Sequence, residues 1–111
     1  MLDRKYRVNQ EKDYNYIYKN GKKISGRYII VFIMRNNLQY NRFGIVTSKK
    51  VGNAVKRNRA KRRIRELSRK HMESIHNGYD VVFVSRVSIN EANFNQIEKD
   101  FLSAMRKAKI L

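Results

Sequence analysis

A chain of 111 residues falls in the range of one compact domain with one hydrophobic core. It carries 26 Lys and Arg against 9 Asp and Glu, a formal charge of +17, far beyond the magnitude of about 2 to 8 that suits a small soluble domain, so a polyanionic partner is expected: nucleic acid first, an acidic membrane surface second. The absence of cysteine excludes disulfides, thiolate metal sites and a cysteine nucleophile and fits a reducing, cytoplasmic setting; no run approaches about 18 apolar residues, and MLDRKYRVNQ lacks the apolar stretch of a secretory signal, so the chain reads as soluble and unprocessed.

No internal repeat, no proline and no Gly/Ser-rich linker marks a boundary, so residues 1–111 read as one domain. Residues 1–8 read as a basic arm. From Asn9, taken as an N-cap, QEKDYNYIYKN places Tyr14, Ile17 and Tyr18 at helical spacing and stops at Gly21, a natural residue just past a helix end. Residues 27–34, RYIIVFIM, are β-branched or aromatic almost throughout and read as a central strand with both faces covered. After a polar turn at Asn36 and Asn37, a second strand from about Arg42 to Ser48 is expected to pair back as a hairpin.

A long helix is expected from about Gly52 and Asn53 to His71. Ala60, Ile64, Leu67 and His71 share one stripe of it, while Asn58, Arg62, Arg65 and Arg69 share the opposite one. Turn residues Asn77, Gly78, Tyr79 and Asp80 then lead into a third strand at 81–85. A last helix starts near Asn93, with Gln96 placed as the far end of a capping box, and buries Phe94, Ile97, Phe101, Leu102 and Met105. The expected order is helix, strand, strand, helix, strand, helix.

Residues 49–70 hold eleven of the 26 basic residues, Lys49, Lys50, Lys56, Arg57, Arg59, Lys61, Arg62, Arg63, Arg65, Arg69 and Lys70, opposed by Glu66 alone. A charge run on a helix is usually a solvated face of mixed sign. Here one sign dominates, and like charges three and four apart destabilise a helix by about 0.2–0.5 kcal/mol per pair, which argues for an external anion. Arginine predominates within the helix, and its planar guanidinium grips phosphate through two bonds or stacks on a base. Charge alone leaves DNA open, although no dimerising heptads follow and no helix-turn-helix spacing precedes the segment.

The string SKKVGNAVKRNRAKRRIRE, from Ser48 to Glu66, closely resembles the protein subunit of bacterial ribonuclease P. The SKK-x-GNAV lead, the box Arg57, Asn58, Arg59, and then Lys61, Arg62 and Arg65 carry the resemblance, which extends over nearly the whole chain. It implies an α+β sandwich like domain 2 of ribosomal protein S5, with a left-handed crossover through the basic helix in place of the usual right-handed one. It implies further that a large RNA, using magnesium ions held mainly by that RNA, removes the 5′ leader of precursor tRNA while the protein assists. Carried over, Lys49, Lys50, Lys56, Arg57, Asn58, Arg59, Lys61, Arg62, Arg65 and Arg69 would hold the RNA subunit. Tyr14, Tyr18 and Phe32 would line a cleft for the single-stranded leader, with Tyr where relatives often have Phe. Aromatics at helical spacing more often pack inward, so a core role for these three stands beside that one.

No catalytic residue or protein-bound metal is expected. The acidic residues are dispersed, His71 and His76 fall on different helix faces, and no GxxxxGK[ST] pattern surrounds Gly52. The chief competitor is a ribosomal or other structural RNA-binding protein, against which the RNR box argues. Membrane binding is disfavoured by the narrow apolar stripe, which has no Trp or Phe. No obligate protein partner is expected.

Overall fold

The two strands with apolar residues on both faces lie at the centre of a four-stranded sheet. The computed structural model describes residues 4–111, with α1 at Glu11–Asn20, β1 at Lys22–Ser25, β2 at Ile29–Arg35, β3 at Arg42–Val46, α2 at Ala54–His71, β4 at Tyr79–Ser85 and α3 at Phe94–Lys107. The strand order is β1-β2-β4-β3, with β1 and β4 antiparallel to β2 and β3 parallel to β4. A mixed α+β architecture was expected, and it is present.

The expected hairpin between the strands at 27–34 and 42–48 is not. β4, with Val81, Val82 and Phe83 fully buried, pairs along the whole of β2 and displaces β3 to the edge. β3 carries Arg42 and Gly44 and fills only an edge position. The true hairpin joins β2 to β1, a strand the sequence reading missed. Only Ile24 of β1 faces inward, while Lys22, Lys23 and Ser25 are exposed, as befits an edge strand that must not recruit another chain. Its turn is clamped by α3: the Asp100 carboxylate accepts from the Arg27, Tyr28 and Ile29 N–H groups at 2.9, 2.9 and 3.1 Å.

Asp80, expected in a turn, is the second residue of β4 and is 2% exposed. It takes Arg42 in two-pronged fashion, Nε at 2.8 Å and NH2 at 2.5 Å, and also accepts from Asn36 at 3.0 Å. This ties the start of β3 to the start of β4. The Asn36–Asn37 segment does turn, with Asn37 at φ 59°, but it delivers the chain across β4 and not back along β2.

α2 and α3 cover one face of the sheet. Ile29, Val31, Val81 and Phe83 meet Ala60, Ile64 and Leu67 of α2 and Ile97, Phe101 and Met105 of α3 in the main core. Ala104 is also buried, while Phe94 and Leu102 are only partly so. Asn93 and Gln96 form the expected capping box. α2 starts where expected: Asn53 caps it by accepting from Lys56 N–H at 3.0 Å, after Gly52 at φ 141°, a backbone that favours glycine. His71 is half-buried, with its ring stacked on Phe101 and Nε2 2.9 Å from Glu98.

α1 covers part of the opposite face, through Ile17 packed with Val8 and Val82. Gln10, not Asn9, occupies its N-cap position and makes no side-chain cap bond. Gly21 ends it in extended conformation, and its need is for space: a Cβ there would stand 2.6 Å from the Ile17 carbonyl oxygen. The arm expected at residues 1–8 is docked over its described part. Arg7 bridges to Phe43 alongside β3, and the Val8 N–H donates to the Phe43 carbonyl at 2.9 Å. Residues 1–3 lie outside the described residues.

Candidate nucleic-acid interface

α2 sorts its basic residues by what each one touches. Arg57, half-buried, donates to the Gly52 carbonyl at 2.9 Å, and Arg63 donates to the Ala92 carbonyl at 2.8 Å. Burial, and then the nearby Arg59, push the Arg63 guanidinium below its ordinary value. These two arginines hold the helix to its neighbours. Lys56, Asn58, Arg59, Arg62 and Arg69 are exposed, Lys61 and Arg65 are half-buried, and Lys49 and Lys50 are exposed on the short turn before the helix. Among the described residues none of these lysines and arginines has a carboxylate within ion-pair distance; the pairs found join Arg42 to Asp13 and Asp80, and Lys70 and His71 to Glu98. Lys70 and His71 hold the Glu98 carboxyl below the usual range, in that order of importance.

The loop presenting Lys49 and Lys50 is fixed from below. Val51 is 2% exposed and its carbonyl accepts from Asn90 Nδ2 at 2.5 Å, while Ser48 Oγ accepts from Lys50 N–H at 3.3 Å. Asn90 was not singled out by the sequence, since its partner is a backbone atom 39 residues away. Val55 was also missed. It stands 73% exposed beside Asn58, Arg62 and Arg65, an apolar contact point inside a charged groove of about 460 Å³.

Tyr14, Tyr18 and Phe32 form a row on the partly covered face. Ring centroids are 6.3 Å apart for Tyr14 and Tyr18 and 4.9 Å for Tyr18 and Phe32. The Tyr14 hydroxyl donates to the Val8 carbonyl at 2.8 Å, and its ring lies against Gly44, where a Cβ would come within 2.7 Å of the hydroxyl oxygen. Burial raises the phenol pKa of both tyrosines, with Tyr18 adding to the effect on Tyr14. Tyr14 and Phe32 are half-buried against Val8, Ile17 and Val82, while Tyr18 is exposed, with 37% of its surface in solvent. Lys23 Nζ stands 6.0 Å above the Phe32 ring.

The aromatic row and the basic helix meet. A hollow of about 230 Å³ is lined by Tyr14, Gly44, Lys61, Arg65, Arg7 and Asn9, and Lys61 and Arg65 also line the groove on α2. Arg7 and Asn9 were missed as parts of this surface because the sequence placed them in an arm and a helix cap. Their position depends on pairing with β3, which local pattern does not encode.

These features define a class: a small, strongly basic α+β protein whose surface offers charge and aromatic rings. Among the described residues no group of three or more His, Cys, Asp and Glu side chains stands together as a metal site. The Ribonuclease P family model matches residues 2–109. The ribonuclease P protein component of Syntrophomonas wolfei is 41% identical over 97% of this chain and 91% of its own, and that of Clostridioides difficile is 38% identical over 93% and 91%. Among solved structures, a Staphylococcus aureus RNase P protein mutant superposes with a TM-score of 0.90 at 32% identity, covering 96% of this chain and 91% of its own. The Thermotoga maritima RNase P protein gives 0.84 at 30%, covering 91% and 96%. The chain belongs to the ribonuclease P protein family, the protein component of an endoribonuclease of tRNA processing.

Proposed function

We propose that this chain binds the catalytic RNA of ribonuclease P through the exposed side of α2 and takes the single-stranded 5′ leader of precursor tRNA on the Tyr14, Tyr18 and Phe32 row. In this reading the RNA subunit cleaves the phosphodiester with magnesium, in the cytoplasm, and the protein contributes binding and charge. The observation that carries it is the sharing of Lys61 and Arg65 between the helix groove and the Tyr14 hollow, which makes the two surfaces one continuous strip.

Each half suits its ligand. Unpaired cations along α2 neutralise phosphates of a folded RNA and release its counterions, which makes binding steeply salt-dependent. Half-exposed rings stack on unpaired bases for about 1–3 kcal/mol each without demanding a sequence, which suits leaders of varied sequence. In this reading the magnesium is held mainly by the RNA, and the protein's own part is to lessen repulsion between two RNAs brought together on one positive surface. Arg57 contributes indirectly, by fixing the loop that carries Lys49 and Lys50.

The test is multiple-turnover cleavage of a precursor tRNA by a bacterial ribonuclease P RNA at low magnesium. Wild-type protein restores 5′ processing. Arg59→Ala with Arg62→Ala requires far more protein to do so and lowers the salt slope of RNA binding by about 1 per lost phosphate contact. Tyr18→Ala leaves RNA-subunit binding unchanged and raises KM for the precursor. A wild-type protein without effect on any such RNA would refute the reading.

A further inference from the structure

A second aromatic pair stands outside both surfaces. Tyr6 and Tyr40 pack edge to face with centroids 5.3 Å apart and planes at 90°, both half-exposed, beyond the far end of β3 from α2's start. Lys5 Nζ lies 4.9 Å from one ring and 5.2 Å from the other. Next to Tyr40 a groove of about 620 Å³ is lined by Arg4, Lys5, Arg7, Asn9 and Arg42. Arg42 is committed to Asp80 and lies 3.8 Å from Asp13, but Arg4, Lys5 and Arg7 are exposed and have no carboxylate within ion-pair distance among the described residues. Glu73 is the one acidic side chain among those lining the adjoining hollow, which Tyr6 and Tyr40 also line.

Two aromatic faces beside three cations with no carboxylate partner among the described residues make the chemistry of a single-stranded nucleic-acid site: rings for a base, cations for the phosphates on either side. The groove is also connected. Arg7 and Asn9 line both it and the hollow that contains Tyr14. We propose that Tyr6 and Tyr40 form a second base-stacking platform, occupied by a nucleotide of the same single strand of RNA that the Tyr14, Tyr18 and Phe32 row receives, with its phosphates on Arg4, Lys5 and Arg7. This rests on the leader reading above and lengthens the path of the strand along the protein. Lys5 is the movable part: its ammonium leaves the ring face it covers when a base arrives and pairs with the adjoining phosphate.

The experiment is fluorescence anisotropy of labelled oligoadenylates, from trinucleotide to dodecanucleotide, with the full chain. The wild type gains affinity as the oligonucleotide becomes long enough to reach both aromatic sites. Tyr40→Ala removes roughly tenfold of that gain, while Tyr40→Phe keeps it and Tyr40→Leu, which preserves apolar bulk without a π face, does not. Tyr18→Ala weakens short and long oligonucleotides alike. A length series identical for Tyr40→Ala and wild type overturns the platform whatever Tyr18→Ala does. If Tyr18→Ala changes nothing and Tyr40→Ala still weakens binding, the leader reading falls and takes the shared strand path with it, leaving Tyr6 and Tyr40 as a separate single-strand site. If Tyr40→Ala weakens binding of the ribonuclease P RNA alone, the pair belongs to that RNA and the proposal is overturned. Circular dichroism and thermal unfolding of each variant verify that it is folded.

Discussion

The two faces of the sheet treat adjacent aromatic residues in opposite ways. On the face under α2 and α3, Phe83 is 0% exposed and stacks with Phe43 at 6.3 Å and Phe101 at 5.2 Å. On the other face, Phe32 stands opposite Val82, the residue just before Phe83, yet it is half-exposed under a single short helix. A domain with a charge of +17 must gain its stability somewhere despite its self-repulsion. It does so on one face, which leaves the other free to keep rings in water. The difference therefore separates what folds the chain from what the chain offers to a partner.

Breaking that separation is the first test. Phe83→Ala is expected to cost about 3–5 kcal/mol, since it empties a site packed between two other rings. That is a large part of the 5–15 kcal/mol typical of a domain. Phe32→Ala, at a ring only partly buried, is expected to cost about 1 kcal/mol in stability and to weaken single-stranded RNA binding. Urea unfolding of both variants reads the first effect and anisotropy the second. Equal losses of stability would show that the partly covered face is core after all.

How much of this was legible in the sequence follows the range over which each feature is determined. The start of α2 near Asn53, the Ala60, Ile64 and Leu67 part of its stripe and the α3 capping box depend on residues three and four apart, and they were read correctly from the pattern; His71, expected on the stripe, is only half-buried. The strand neighbours were not. Which strand sits beside β2 is decided by competition between β3 and β4, segments separated by an 18-residue helix, and β4 prevails because it is apolar on both faces. β1, with Ile24 its lone buried residue, is too short to register as an alternation. At the site, the one-sign charge of α2 was plain, but the junction between helix and aromatic row was not. It arises from Arg7 and Val8 running beside β3, and it turns Asn9 from an expected cap into part of the hollow's wall.

Gly44 marks the seam between the two regimes, and substituting it sharpens the comparison without removing any ring. A methyl at this position would meet the Tyr14 hydroxyl oxygen at 2.7 Å and a ring carbon at 2.8 Å. Tyr14 can yield only by giving up its bond to the Val8 carbonyl. Gly44→Ala is expected to lower stability by about 1–3 kcal/mol and to reduce the affinity for short oligonucleotides, with RNA-subunit binding through α2 unchanged. Thermal unfolding and anisotropy check both. An unchanged affinity with lowered stability would mean that the exact seat of Tyr14 matters to the fold and not to the ligand.

The smallest expected effect is a pH dependence confined to the partly covered face. Burial raises the phenol pKa of Tyr14 and Tyr18 above the ordinary 10.0. Above pH 10 the unfolded chain therefore loses these protons before the folded chain does, and the stability present below that pH declines as pH rises through the folded values. Comparing wild type with Tyr14→Phe plus Tyr18→Phe isolates the contribution of these two phenols. Absorbance at the phenolate band should then show a late phase, from Tyr14 and Tyr18, that the double variant lacks. Saturating single-stranded RNA should push the late phase later still, because a base stacked on a ring removes more water from it. Should RNA instead leave that phase in place, the rings on this face are not where the strand lies.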